Sequence, residues 1–282
     1  MLTLGLLGTG RLGTAIRALA DGADDVQVVW AVGRGGPPED EQAVDIAIDV
    51  STAAAVPGHL RWARATGTHL VIGTTGWDPA LLDRGGPGIG AGPGIRVLTA
   101  PNFSLGVALL RRLAVALGGY AARADVPVDL AVTDTHHRNK VDAPSGTALA
   151  LREGLALGSE RRPEDVQVTS LRLGEVIGDH EVIAASPLET LTLRHTAHSR
   201  DLFAAGALTA ARWLAGRTEP GVYTLDDLAE DHLRDLLDVS TGAVPTNVAS
   251  TSDGDATATP ATTDIPRAGA SAGRPTHAGA PA

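Results

Sequence analysis

The chain has 282 residues, 43% of them hydrophobic and 20% charged, with a net charge of −10. That is enough apolar material for one large core or two modest ones, and too acidic for the basic face of a nucleic-acid binder. The absence of cysteine excludes disulfides, thiolate metal sites and cysteine nucleophiles, and fits a reducing cytoplasm.

Taken in chain order, residues 2–7 ("LTLGLL") read as a short buried strand ending in glycine. A helical pattern from Leu12 to Ala20 and a second apolar run, "VQVVWAV" at 26–32, follow it. This strand–helix–strand unit predicts a parallel sheet with a right-handed crossover. Further strands are predicted in "DIAIDVS" (45–51), "THLVIGTTG" (68–76) and "GIRVLTAPNFS" (94–104), with a helix between the first two. The Gly- and Pro-rich stretch 85–94 reads as a surface turn. A helix is expected from Leu105 to Leu117, then a strand in "PVDLAVTDTHH" that delivers His136 at its end. Residues 146–157 read as a helix, 166–194 as several β-like runs, and 203–214 and the acidic 225–237 as closing helices. Strands clustered after an alternating first half predict a second domain of α+β type. Beyond Ala243 the chain is Ala, Thr, Pro, Gly and Ser with Ile265 its one large apolar residue past the first few positions, which predicts a disordered tail. The first residues lack a basic leader and no apolar run nears the ~18 residues of a membrane span, so the expectation is a soluble, cytoplasmic protein.

Gly8, Gly10 and Gly13 form G-x-G-x-x-G directly after a strand and at the start of a helix. The first glycine permits the tight turn, the second admits a pyrophosphate to the backbone, and the third lets helix and strand pack closely. The helix N-terminus adds free N–H groups and partial positive charge. The acid expected about 20 residues later for the adenosine ribose is absent, and Gly33 and Arg34 stand there instead. Arg34 suits a 2′-phosphate, which leans the cofactor toward NADPH over NADH; a solvated loop arginine fits the same pattern. The turn "GTTG" at 73–76 also follows an apolar strand, where an open α/β sheet presents its ligand crevice.

His136, His137 and Lys140 lie within five residues, and Lys140 is the single lysine among 23 Lys+Arg residues. A histidine there suits acid/base work near neutral pH, and a lysine fixes an anion or donates a proton. Metal binding is less attractive, because adjacent strand side chains point to opposite faces and no third ligand stands at usual spacing. In "DAPSGTALAL", Ser145 and Gly146 read as turn and cap, and Thr147 opens a helix. Backbone N–H groups of Gly146 and Thr147, the Thr147 hydroxyl and the Lys140 ammonium together suit a carboxylate. The implied ligand is a small anionic substrate beside a nicotinamide ring.

The stretch "HHRNKVDAPSGTA" closely resembles the signature of the 4-hydroxy-tetrahydrodipicolinate (dihydrodipicolinate) reductase family of bacterial lysine biosynthesis. The resemblance runs in order through "GLLGTGRLG", "IDVST", "VIGTTGW", "APNFSLGV", "RLGEVIGDH" and "SRDLFAAGAL", covering most of residues 1–238. It implies an α/β fold: a Rossmann-like dinucleotide-binding domain with an inserted α+β substrate and oligomerisation domain. On this sequence the parts would be 1–104, 105–202, a return to the first domain over 203–242, and the tail 243–282. It also implies a homotetramer, and hydride transfer from NADH or NADPH to C4 of a cyclic, imine-containing dicarboxylate. His136 matches the acid/base and Lys140 the second catalytic residue, while His137, Gly146 and Thr147 match substrate-carboxylate contacts. Gly8, Thr9, Gly10, Arg11, Leu12, Gly73, Thr74, Thr75, Ala100, Pro101, Asn102 and Phe103 match cofactor contacts. The chain departs from the family pattern at Gly33 (usually an acid), Asp134 (usually Glu) and Trp77 (usually Phe). It is also shorter between 34 and 45 and between 157 and 172. A reductase of a related carboxylated imine and a non-catalytic NADP-binding redox sensor are the alternative readings.

Overall fold

The computed structural model describes residues 1–33, 43–82 and 94–240, with side chains to 235. Arg34, most of the 85–94 turn and the 243–282 tail, each with an expectation attached above, lie outside the described residues.

Among the described residues, ten strands form two sheets. β1 (Leu2–Leu7), α1 (Arg11–Asp21) and β2 (Val26–Val32) make the expected parallel unit. β3 (Ile46–Asp49), α2 (Val56–Thr66), β4 (His69–Ile72) and β5 (Arg96–Thr99) extend it. The run "IAID" is buried at every position, as a strand covered on both faces must be. After α3 (Leu105–Arg123), the chain builds β6 (Asp129–His136), α4 (Gly146–Ser159), β7 (Gln167–Arg172), β8 (Asp179–Ala185) and β9 (Thr190–Thr196). It then returns through α5 (Asp201–Ala215), β10 (Gly221–Thr224) and α6 (Leu225–Ser240). The first sheet, in order β10-β5-β4-β3-β1-β2, is parallel throughout. The second, β7-β6-β8-β9, joins a parallel β6–β7 pair to two antiparallel ones.

One cluster of apolar side chains packs α1, α5 and α6 on the first sheet, and another packs α2 on its opposite face. A third lies between the second sheet and α3 and α4, built from Leu110, Leu117, Leu130, Val132, Leu151 and Leu155. Alternation along β6 and β8 turns every second residue to that core. The other face, carrying Thr133, Thr135, Ile183 and Thr192, stays partly exposed.

Three expectations need correction. The sequence predicts no strand at β10, because "GVYT" has four residues and no strong pattern; it forms by pairing along β5. Helix α3 does not stop at Leu117 but continues through Gly118 and Gly119 to Arg123. A side chain at Gly118 would meet the Leu155 carbonyl oxygen at 2.4 Å, and one at Gly158 the Val115 oxygen at 2.0 Å. These glycines let α3 and α4 approach backbone to backbone, and that packing overrides their poor helix propensity. Helix α3 is also, against expectation, long and apolar enough to cross a membrane by length and composition, with a mean hydropathy of 1.4. Its apolar residues serve the core beneath the second sheet, while Arg111 and Arg112 pair with Asp226 and Glu230 of α6.

Candidate functional site

The cofactor motifs occupy the loops after β1, β4 and β5, at the C-terminal edge of the parallel sheet. Chain order reverses where β1 sits between β2 and β3, and an open α/β sheet forms its ligand crevice there. Gly8 has φ +122°, and a side chain on it would lie 2.5 Å from the Val50 oxygen. One on Gly13 would lie 2.0 Å from the Gly8 oxygen, whereas Gly10 faces open space. Gly10 is also the N-cap of α1 and offers no side-chain cap, which leaves the helix N–H groups for an anion. These residues fit a dinucleotide pyrophosphate. The loops after β4 and β5 interlock, because the buried Phe103 ring lies against Gly73, leaving no room for a side chain there.

Beneath them lies Asp49, fully buried at the end of β3. Its Oδ2 is 2.7 Å from Nδ1 of His59 on α2, and its Oδ1 accepts the hydroxyls of Ser51 (2.6 Å) and Thr74 (2.8 Å). Burial pushes the Asp49 carboxyl up, and these bonds with the His59 charge more than offset it, so the net shift is downward. Thr74 therefore turns its side chain inward, while Thr75, Thr9 and Arg11 are exposed and Leu12 faces the cleft described below.

The second group gathers at the end of β6. Ser145 caps α4 by accepting the Ala148 N–H, and its own N–H and hydroxyl bond Asp134 at 3.0 and 2.8 Å. Asp134 also accepts from Ser170 (3.1 Å) and Arg172 (3.2 Å). Its Oδ1 lies 2.7 Å from His136 Nδ1, off the line of a well-formed hydrogen bond. Burial raises the Asp134 carboxyl and its donors lower it further, for a net downward shift. The His136 imidazole shifts downward too. Burial is the main cause, Asp134 opposes it, and Lys140 and Arg172 reinforce it. Gly178 leaves room at the far nitrogen, since a side chain there would come within 3.3 Å of Nε2.

Strand register sets Ser170, Asp134, His180 and His195 in one row across the buried face of the second sheet. The His180 ring meets the His136 ring edge to face at 5.0 Å, and both its nitrogens lack a hydrogen-bond partner. Burial, with the His136 charge behind it, pushes His180 down to about 4. Asp134, His136 and His180 place three potential metal-ligand atoms within 4.8 Å of one another. The Asp134 oxygens are already taken by two serines and an arginine, a setting that disfavours a cation.

Lys140 pairs with Asp142 at 2.8 Å. The lysine, helped by backbone N–H groups including that of Gly146, holds the Asp142 carboxyl below its usual range. An internal carboxylate thus rests on two of the groups assigned above to a substrate carboxylate.

Both groups open on one cleft of about 790 Å³. Leu12, Gly73 and Pro101–Phe103 line one side, and His136, His137, Lys140 and Ser145–Thr147 the other. Sequence reading missed several of its residues. Arg111, Arg200, Thr224 and Asp226 reach the cleft from α3, the turn before α5, β10 and α6, and only the fold brings them there. Asp142 sat inside the quoted motif and carried a signal, an acid two residues from the lone lysine. His180 and His195 were visible only as polar residues inside β-like runs.

Residues 2–103 match the family described as dihydrodipicolinate reductase, N-terminus, and residues 106–229 that described as dihydrodipicolinate reductase, C-terminus. The 4-hydroxy-tetrahydrodipicolinate reductase of Alkalilimnicola ehrlichii is 39% identical over 242 residues, covering 79% of this chain and 81% of that protein. That of Gluconobacter oxydans is 38% identical over 249 residues, covering 79% and 95%. Among solved structures, dipicolinate-bound dihydrodipicolinate reductase from Paenisporosarcina sp. TG-14 shares the fold. Its TM-score is 0.65 at 20% identity, with 81% of this chain and 99% of that one covered.

Proposed function

Because the chain belongs to the dihydrodipicolinate reductase family, we propose that the cleft between its two sheets brings a reduced nicotinamide against a small cyclic dicarboxylate, with His136 as the acid/base. The protein is an oxidoreductase that reduces 4-hydroxy-tetrahydrodipicolinate to tetrahydrodipicolinate with a nicotinamide cofactor, in the diaminopimelate route to lysine. The observation that carries the site reading is the single cleft lined by both motif sets.

Loss of the 4-hydroxyl as water leaves a double bond conjugated to the ring imine; the loops after β1, β4 and β5 would hold the nicotinamide cofactor, which would supply hydride to C4. The resulting enamine takes a proton at C3. His136 gives that proton through Nε2, a reading supported by its Nδ1 side facing Asp134 and by the room at Nε2 beside Gly178. One substrate carboxylate replaces Asp142 on the Lys140 ammonium and the Gly146 N–H, with the Thr147 hydroxyl as a third donor. His137 lines the same wall. The fall in His136 basicity from burial and nearby cations makes proton release to carbon easier once the imidazolium has formed.

The cofactor we assign is NADPH in preference to NADH. β2 ends at Val32, and Gly33 after it supplies no acid for the ribose diol; Arg34 follows in the sequence. Arg34→Ala should lower the NADPH-to-NADH ratio of kcat/KM by about tenfold, the loss of one phosphate contact. The domains run over 1–104 with the return 203–242, and over 105–202. The partly exposed face of the second sheet supports a homotetramer, testable by the solution mass of the chain. A soluble cofactor and substrate support a cytoplasmic location.

The deciding assay supplies the product of dihydrodipicolinate synthase and follows NADPH and NADH oxidation separately. Substrate-dependent oxidation is expected; none with either cofactor overturns the reading. His136→Ala should abolish turnover and spare dinucleotide binding, and unchanged turnover would return the sensor alternative.

A further inference from the structure

Asn102 stands in the loop after β5, among the residues matched to cofactor contacts, yet its side chain reaches the opposite wall of the cleft. Its Oδ1 accepts the Ser104 N–H at 2.9 Å, and its Nδ2 donates to Thr147 Oγ1 at 3.3 Å. The first bond orients the amide: with the carbonyl taken by Ser104, the NH2 end faces Thr147. Ser104 is itself held in place, accepting the Val107 N–H as the N-cap of α3, with its Oγ 3.3 Å from His195 Nε2.

The α4 cap does not use the Thr147 hydroxyl, because Ala148 N–H goes to Ser145. A hydroxyl has one proton and two lone pairs. With a lone pair engaged by Asn102, Thr147 keeps its proton for an acceptor in the cleft it lines. An unconstrained hydroxyl rotates freely and loses orientational freedom on binding.

We propose that Asn102 is a positioning residue for the substrate: by donating to Thr147 it holds that hydroxyl as a hydrogen-bond donor to the substrate carboxylate. A side chain of the cofactor loop then sets affinity for the other reactant. The inference rests on the carboxylate role given to Thr147 above.

The test is a double-mutant cycle with Asn102→Leu and Thr147→Val, both near-isosteric and uncharged. Thr147→Val should raise the substrate KM by about tenfold or more, the loss of a hydrogen bond to a charged group. Asn102→Leu should raise it about fivefold, a larger change than it makes in the dinucleotide Kd measured by fluorescence titration. In the Thr147→Val background, Asn102→Leu should add nothing to the substrate KM. Asn102→Asp guards against a collapsed loop: it keeps the acceptor for Ser104 but presents Thr147 with an acceptor, and should raise KM at least as far as the leucine. Additive effects of Asn102→Leu and Thr147→Val, or a dinucleotide Kd that rises as far as the substrate KM, sink this inference alone. An unchanged substrate KM in Thr147→Val sinks the carboxylate role of Thr147 and this inference with it.

Discussion

Asp49 and Asp134 make a matched pair. Each is fully buried at or near the C-terminal end of a strand, has a histidine Nδ1 2.7 Å away and accepts serine hydroxyls. Each carboxyl is shifted downward despite burial. The difference lies in the imidazole. His59 projects from α2 into the core beneath the cofactor loops, and its pair with Asp49 ties that helix to the Ser51 N–H and the Ser51 and Thr74 hydroxyls, which Asp49 also accepts. His136 ends its strand at the wall of the cleft, so its second nitrogen meets whatever enters. A similar Asp–His contact is thus a brace in one sheet and, on the function proposed above, part of an acid/base assembly in the other. What decides is whether the far nitrogen reaches the cavity.

The comparison breaks most sharply at His136. His136→Asn should cut kcat by roughly 10³-fold while the melting temperature moves little, as expected for a lost general acid. A large stability loss with modest kinetic change would make His136 a second brace. His59→Leu should do the reverse, costing roughly 3 kcal/mol in denaturant titration with kcat within a few-fold, because Asp49 loses its strongest partner in a buried setting.

A second difference is His180, which extends the Asp134 cluster and has no counterpart beside Asp49 in the ion pairs of the described residues. Its folded pKa of about 4 lies below the ordinary 6.5. The unfolded chain therefore binds a proton that the folded protein refuses. The stability this represents, on the order of 2–3 kcal/mol, is fully present above about pH 6.5 and lost as pH falls toward 4. His136 and His195 shift the same way and add to the slope. His180→Asn should flatten that acid slope, measured as the urea midpoint at several pH values; an unchanged slope would place the lost protons elsewhere. The smallest effect is expected from Lys140→Arg, about tenfold in kcat/KM, because a broad planar guanidinium replaces a compact ammonium at the carboxylate site. Near-normal turnover would make the lone lysine a coincidence.

Much of this was legible locally. The β1–α1–β2 unit, the glycines at 8, 10 and 13, and the strand that carries His136 follow from apolar periodicity, glycine spacing and capping, properties of neighbouring residues. Asp49 was legible only as an acid ending an apolar run, and His59 as an ordinary helix residue. Their pairing depends on α2 crossing behind β3, which no local pattern states. The extension of α3 through Gly118 was hidden for a similar reason, since only the approach of α4 makes glycine favourable there.

By itself, then, the sequence determined the chemistry available and most of the elements: a glycine-rich turn suited to a dinucleotide, a histidine at a strand end, and a lysine and a helix N-terminus suited to a carboxylate. Only the tertiary structure decided which histidine is a brace and which faces the cleft. It also set His180 and His195 in register with Asp134, and turned Asn102 from its own loop toward Thr147. Those outcomes depend on strand register and on two sheets meeting across one cavity, contacts between residues far apart in the chain.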